Sequence, residues 1–321
     1  MNPIFTLYYE SKDITKSVSP YVLSIEYTDN EHGESDELQL IFDDTDKLWQ
    51  SSWLPSKGDK LKLHIGYENE KLLNCGTFEI DEIEFESPPD SLTVKSLATG
   101  IKDSFREINS NGFENKTLKQ IINEYANKHN LVVIGNIEDI QVERITQNKE
   151  TDLKFLTRIA EQYGYIFKIT EDKLVFYQVK ELTKSNTNII LYKSDLTSVN
   201  LSEKTSKQFK AVQVTYFDPK KKKTIKTTVR NENVKKGDTL KITSRVTNKK
   251  QATIQANAAL NRSNEKITGS FEIIGTPTLV AGINLELKDL SHFSGKYHIK
   301  RVRHIFDRNS GYKTNCEIES C

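Results

Sequence analysis

Two stretches decide the architecture when written together: GDKLKLHIG at 58–66 with GTFEIDEIEF at 76–85, and GINLELKDL at 282–290 with GKYHIKRVRH at 295–304. Gly58, Leu61 and Leu63 answer to Gly282, Leu285 and Leu287. Gly76, Phe78, Ile80 and Ile83 answer to Gly295, Tyr297, Ile299 and Val302. In KLKLHI the apolar Leu61, Leu63 and Ile65 alternate with Lys60, Lys62 and His64, which buries one face of a strand and wets the other. A glycine opens each strand where the backbone turns sharply. Apolar parity shifts between Ile80 and Ile83 and again between Ile299 and Val302, as a bulge at one shared place would produce. A turn follows each, SPPD at 87–90 or DRNSG at 307–311, and then a return strand, SLTVKSL at 91–97 or YKTNCEIE at 312–319. Any two hairpins share residue types, because strands favour the same few. The same irregularity at the same place argues for duplication.

Outward from this repeat, residues 1–100 read as strands (YVLSIEY, ELQLIF, KLKLHIGY, GTFEIDEIEF, SLTVKSL) separated by turn-forming stretches, and are expected to form a first β-barrel-like domain. Residues 101–184 change period and predict an α+β module. TLKQIINEYANKHN at 117–130 places Leu118, Ile121, Ile122 and Tyr125 on one helical stripe, with Thr117 and Gln120 at capping-box spacing. TDLKFLTRIAEQYG at 151–164 predicts a second helix, with Gly164 where a left-handed cap belongs. YIFKI and LVFYQV follow as a hairpin turning at Glu171 and Asp172. Residues 185–321 return to strands around one helix, from about Asn248 to Arg262, whose Ala252, Ala256 and Ala259 allow close packing on a sheet. The fold class expected is therefore α+β and β-rich: two tandem tube-like β-barrel domains flanking a small α+β module, the second barrel carrying an inserted helix.

The totals exclude several functions. Lys+Arg at 46 against Asp+Glu at 45 gives a formal charge of +1 over 321 residues, which offers no overall field to a polyanion. Cys75, Cys316 and Cys321 are odd in number and far apart, indicating neither a disulfide framework nor a zinc site, and fitting a reducing compartment. The N-terminus MNPIFTLYYE has no basic segment leading into an apolar one, and runs such as LVVI at 131–134 are far below spanning length. No export signal and no membrane binding by the chain itself are expected, and the sequons at Asn115, Asn200 and Asn261 are chance matches.

The stretch ITQNKETDLKFLTRIAEQYGYIFKI, 145–169, resembles the hallmark of the late control protein D family of contractile-tailed phages, shared with the N-terminal part of type VI secretion spike proteins. The family pattern runs from a Gln through Glu-Ser-Asp and Phe-Leu to an Arg-containing helix ending near Gly; Gln147, Glu150, Asp152, Phe155, Leu156, Arg158, Ala160 and Gly164 stand in those places. Thr151 replaces the usual Ser and keeps the hydroxyl. GTFEIDEIEFESPP, AVQVTYFDP and the stretch from GTPTLVAG through GKYHIKRVRH also look like the family. The resemblance implies a structural baseplate hub: a homotrimer of two tube-like barrels per chain, with pseudo-six-fold symmetry, between the hexameric tail tube and the trimeric spike. It further implies a place in the virion tail baseplate or a tail-like particle, assembly in the bacterial host cytoplasm, contact with the tail tube protein and other baseplate proteins, and nucleic acid only as cargo through the channel. Because the sequence stops at Cys321 with no β-helix after it, the spike is expected to be a separate polypeptide.

Chemistry is weakly signalled, and no catalytic, cofactor-binding or metal residue is expected. The runner-up function is a tail-associated peptidoglycan hydrolase acting through paired carboxylates, for which Glu79, Asp81, Glu82 and Glu84 are the acids at hand. General acid chemistry needs one carboxyl in an apolar cleft, whereas these acids cluster on a strand hairpin and read as a solvated face. His292, His298 and His304 are the candidate metal ligands, but residues six apart in one strand lie roughly 20 Å from each other, so His298 and His304 cannot share an ion there. They read as ordinary polar hairpin positions. H-E-x-x-H, G-x-S-x-G and P-loop patterns are absent. Lys220–Lys223, after Asp218 and Pro219, fall at a hairpin turn without aromatic interleaving, and read as a hydrated loop tip rather than a nucleic-acid patch.

Overall fold

The repeated glycines both take left-handed backbone, Gly58 at φ +88° and Gly282 at φ +87°, a region open to Gly at no steric cost. This is a computed structural model, and it describes residues 2–99, 103–184, 187, 189–204, 209–218, 221–232, 234, 237–246, 248–263 and 267–321. The chain divides into two units. One gathers Met1–Gly100, Thr187–Asn200 and Gly269–Ile318; the other gathers Ile101–Asn186, Leu201–Thr268 and Glu319–Cys321.

The first unit is built on a large sheet in which the same strand order appears twice. The first copy runs Val22–Asn30, Glu37–Asp43, Ser91–Ala98, Leu73–Glu86, Lys60–Tyr67, Pro3–Tyr9, each strand hydrogen-bonded to the next. The second runs Leu196–Glu203, Ile267–Ile274, Gly311–Ser320, Gly295–Asp307, Asn284–Lys288, Ile189–Tyr192. The chain visits both sets in the same order. They differ at the last pair, which is antiparallel in the first copy and parallel in the second.

Register agrees with the sequence alignment residue by residue. Leu61 faces Phe78 and Leu63 faces Gly76 across one ladder, as Leu285 faces Tyr297 and Leu287 faces Gly295 across the other. Gly58 N–H donates to Ile80 O and Gly282 N–H to Ile299 O, both at 2.8 Å. Ile80 N–H returns a bond to Asp59 O and Ile299 N–H to Ile283 O, both at 2.9 Å. The pairing of Leu73–Glu86 with Ser91–Ala98 slips between Ile80 and Glu82, which is the bulge inferred from parity. In the second copy the buried positions change parity at the same place, from Tyr297 and Ile299 to Val302 and His304.

The two copies are joined edge to edge. Arg301–Asp307 pairs antiparallel with Ser24–Asn30, Arg301 opposite Asn30 and Asp307 opposite Ser24. Tube-like closure was the expectation for each β-rich part; among the described residues the sheet is open, starting at Leu196–Glu203 and ending at Lys12–Asp13. The reason is that the second half of the 13-residue strand Gly295–Asp307 continues into the other copy instead of closing upon its own. Leu7, Ile25, Phe42, Leu63 and Phe78 fill the core of the first copy, and Leu285, Leu287, Ile299 and Val302 are fully buried in the second.

The second unit holds the helices. Thr117 accepts from Gln120 N–H at 3.2 Å while the Gln120 amide oxygen accepts from Thr117 N–H at 2.8 Å, a capping box that starts helix Leu118–His129. Helix Asp152–Tyr163 starts on Thr151, whose hydroxyl accepts from Lys154 N–H, and stops at Gly164 with φ +79°. Both helices pack on the antiparallel ribbon of Ile108–Thr117 with Gln141–Thr151 and on the strands Tyr165–Thr170, Lys173–Gln178 and Val132–Ile134. Helix Lys249–Ser263 lays Ala252, Ala256 and Ala259 against Val212, Val214 and Tyr216 of a second three-stranded sheet. A Cβ at Gly164 would stand 3.4 Å from Ala258 Cβ, so small residues set this close approach.

Candidate functional site

The hallmark residues converge on one buried carboxylate. Strand Gln141–Thr151 slips register between Gln147 and Glu150 and then runs straight into helix Asp152–Tyr163, which aims Gln147 and Asp152 inward together. Asp152 is fully buried and accepts from Lys128 Nζ at 2.6 Å, His129 Nε2 at 2.8 Å, Gln147 Nε2 at 2.8 Å and Asn109 Nδ2 at 3.3 Å. Burial alone would raise its pKa; the bonds from Lys128, Gln147 and His129 outweigh that and hold the carboxyl below its ordinary value. Gln147 is held in turn, its amide oxygen accepting from Tyr125 OH at 2.7 Å and Asn111 Nδ2 at 2.9 Å. Arg158 meets Glu150 through two donors at 2.6 and 3.2 Å, reaches Thr146 O, and lies 5.2 Å above the Phe155 ring.

Ser104 Oγ is 3.0 Å from His129 Nδ1, which places Ser104, His129 and Asp152 in one chain of hydrogen bonds. Acyl transfer needs an imidazole free to pass a proton to a substrate. Here the ring is only 2% exposed, stacks on Phe105 at 3.4 Å and spends Nε2 on Asp152, itself already bound by Lys128. The array ties the end of one helix to the start of the next. Sequence spacing alone did not reveal it, because Ser104 and His129 lie outside the quoted hallmark.

A second buried network sits where the two β copies join. Glu31 accepts from His298 Nε2 at 2.5 Å and forms an ion pair with Lys300 Nζ at 2.8 Å, and Asn284 Oδ1 lies 2.7 Å from His298 Nδ1. Burial would push Glu31 up, and His298 and Lys300 together bring it below its ordinary value. Arg301 donates to Asn30 at 2.7 Å and to Glu34 at 2.7 Å, and Arg303 approaches Glu26 at 3.8 Å. His304 is fully buried, its ring stacked on Tyr27 with centroids 6.0 Å apart, Nε2 donating to Leu279 O and Nδ1 facing Tyr312 OH at 2.8 Å. Burial pushes the His304 pKa down to about 4, so the ring is neutral at physiological pH.

The remaining sequence candidates are dispersed. Glu79, Asp81, Glu82 and Glu84 are exposed; Glu82 and Glu84 share Lys95 at 3.3 and 3.0 Å, and Glu79 lies opposite Lys60. His292 is exposed, whereas His298 and His304, expected as ordinary hairpin positions, are interior members of the joint. No group of three or more His, Cys, Asp or Glu among the described residues is arranged to hold a metal. Lys221 and Lys222 form an exposed turn; Pro219 and Lys220 lie outside the described residues. No helix among the described residues is long and apolar enough to cross a membrane.

Comparison with known proteins places this geometry. A probable baseplate hub protein of Escherichia phage 186 is 32% identical over 176 residues, 54% of this chain and 44% of the relative, so the chain spans about half the length of that curated relative. The 43 kDa tail protein of prophage MuSo2 from Shewanella oneidensis superposes with TM-score 0.75 at 17% identity, over 99% of this chain and 98% of its own. An E. coli component of the type VI secretion system, c3393, described as structurally similar to phage T4 tail proteins gp27 and gp5, superposes with TM-score 0.59 at 13% identity, over 94% of this chain and 74% of its own. These two likenesses concern the fold. The family model for the phage tail baseplate hub (GPD) matches residues 102–310, through both the hallmark carboxylate and most of the second β copy, and the chain belongs to that family.

Proposed function

We propose that this chain is the structural hub of a contractile phage tail or tail-like bacteriocin. Three copies close into a ring whose six β copies are quasi-equivalent, and the ring joins the hexameric tail tube to the trimeric spike. The observation that carries this reading is the duplicated strand order with its matched Gly58–Ile80 and Gly282–Ile299 bonds. A chain that carries the same β arrangement twice lets a three-fold ring offer six similar contacts, and closed rotational assemblies are the usual outcome of repeated contacts. The three segments 1–100, 101–184 and 185–321 then act as first β part, module and second β part.

The partners in this reading are the tail tube protein, a separate spike protein and other baseplate proteins, with nucleic acid or other cargo passing through the ring. The particle is assembled in the bacterial host cytoplasm and the chain turns over no substrate. Exposure of Glu79, Asp81, Glu82 and Glu84 supports a scaffold over a hydrolase, since none is in an apolar cleft that would raise a general acid's pKa. Electron microscopy of the protein, alone and with tube and spike partners, tests the ring: class averages with three-fold symmetry and six similar lobes are expected, and a monomer or a two-fold particle under all these conditions overturns it. Cell walls cast in a gel test the other half. Clearing by the purified protein would make it an enzyme.

A further inference from the structure

Helix Lys249–Ser263 covers only one face of the three-stranded sheet on which it packs. In that sheet Phe209–Asp218 lies in the middle, antiparallel to Lys223–Arg230 on one side and parallel to Asp238–Thr243 on the other. Val212, Val214, Tyr216, Val229 and Ile242 turn towards the helix. Alternation along each strand sends the residues between them the other way. Lys226, Thr215 and Thr243 then stand in one row across the three strands, and Thr228, Gln213 and Lys241 in the next. Phe217 faces Thr224 at one end, and Arg230 faces Ala211 at the other. No acid occupies a position turned this way in Ala211–Phe217, Thr224–Arg230 or Thr239–Thr243, and all of these except Ala211 are exposed or half-buried.

The near-zero charge of the whole chain hides this region. Residues 209–246 hold 11 Lys and Arg against 3 Asp and Glu, while the other 283 residues hold 35 against 42. A field of that sign on a face otherwise made of hydroxyl and amide groups suits a chain of phosphates, whose oxygens take both ionic contacts and hydrogen bonds. The rows at Thr215, Gln213 and Ala211 hold one cation each, Lys226, Lys241 and Arg230, and successive rows lie about 7 Å apart, a step that one extended nucleotide can span. Phe217, 57% exposed on the middle strand, separates one polyanion from another. An open aromatic ring beside cations suits unpaired bases, which have a face to stack, whereas a duplex keeps its bases covered and an acidic protein surface has no such need of the ring.

We propose that this face binds single-stranded nucleic acid, with a base stacked on Phe217 and the backbone running past Lys226 and Lys241 towards Arg230. The cations concerned are those of the strands, not Lys221 and Lys222 of the exposed turn. This goes beyond the hub function. A ring needs only a channel wide enough for its cargo, whereas this face holds a strand, and its failure would leave the hub untouched.

Fluorescence anisotropy of full-length protein with labelled oligothymidylate about 12 nucleotides long tests the site. Three phosphate contacts should make log K fall with log salt at a slope of about −2. Lys226→Gln with Lys241→Gln should weaken binding about tenfold at about 50 mM salt and reduce the slope to about −0.7. Phe217→Ala should weaken it about tenfold with the slope unchanged, and Phe217→Leu, which keeps apolar bulk without a stacking face, should lose nearly as much. All three positions are exposed and turned away from the helix, and circular dichroism checks the fold of each variant. Equal binding of a duplex, with Phe217→Ala neutral, would mean that the face reads charge alone and overturns the single-strand assignment. Capture of poly-glutamate as tightly as the oligonucleotide would make this a protein-docking face and overturn it as well. So would no binding at low salt, or binding that survives the double substitution.

Discussion

Asp152 and Glu31 are two solutions to one problem. Each is a buried carboxylate held by a histidine and a lysine, His129 and Lys128 for the first, His298 and Lys300 for the second, and each sits below its ordinary pKa because those partners outweigh burial. They differ in reach. His129 is 23 positions from Asp152, and Gln147 is 5; His298 is 267 positions from Glu31. The first network organises a local turn between helix and strand, the second fastens the ends of the chain into one sheet. A charge cluster of the same composition can therefore be a local folding device or a long-range clasp, and only its topology tells which.

The sharpest way to break the comparison is Asp152→Ala. It leaves the His129 ring and the Gln147 amide without their shared acceptor in the interior, and loss of one partner from a buried ionic network costs about 3–5 kcal/mol. Urea unfolding of the second unit's signal measures it, and a loss under about 1 kcal/mol would mean that water reaches the cluster.

Acid titration separates the two regions next. His304, which lies on the joint side, takes a proton near pH 6.5 when unfolded and near pH 4 when folded, so between those values the unfolded state binds more protons. Stability should fall as pH drops from 6.5 towards 4, by up to about 3 kcal/mol from this ring. Below that, Glu31 and Asp152 add to the loss, because each protonates at lower pH in the folded state than in the unfolded chain. His304→Gln keeps a donor for Leu279 O and should flatten the upper part of the curve only; an unchanged slope between pH 6.5 and 4 would place the titrating group elsewhere.

What was legible in the sequence follows the same divide. The capping box of Thr117 and Gln120, the stop at Gly164 and the hallmark run from Gln147 to Arg158 all act within one or two turns of chain, so spacing exposes them. The repeat was legible because a bulge and two left-handed glycines leave a mark on parity and composition. The joint was not. His298 and His304 are interior because a strand nearly the whole chain away lies alongside, and nothing in their own neighbourhood distinguishes them from wet hairpin residues. The same long-range pairing joins the two tube-like parts expected from the sequence into one shared sheet, open among the described residues.

Glu31→Gln gives the smallest and most discriminating effect. The amide keeps the shape of the side chain and leaves an oxygen for His298 Nε2, while Lys300, more than a third exposed, can turn its ammonium to water. The cost should be about 1–2 kcal/mol, since an acceptor is retained and one charge-assisted bond is lost. If the clasp reading is right, this modest loss falls on the joint: amide hydrogen exchange should quicken along Arg301–Asp307 and Ser24–Asn30, which share the ladder, and stay unchanged along Asp152–Tyr163. Faster exchange spread evenly over both units would instead make Glu31 an ordinary contributor to global stability, and the contrast between local device and long-range clasp would be lost.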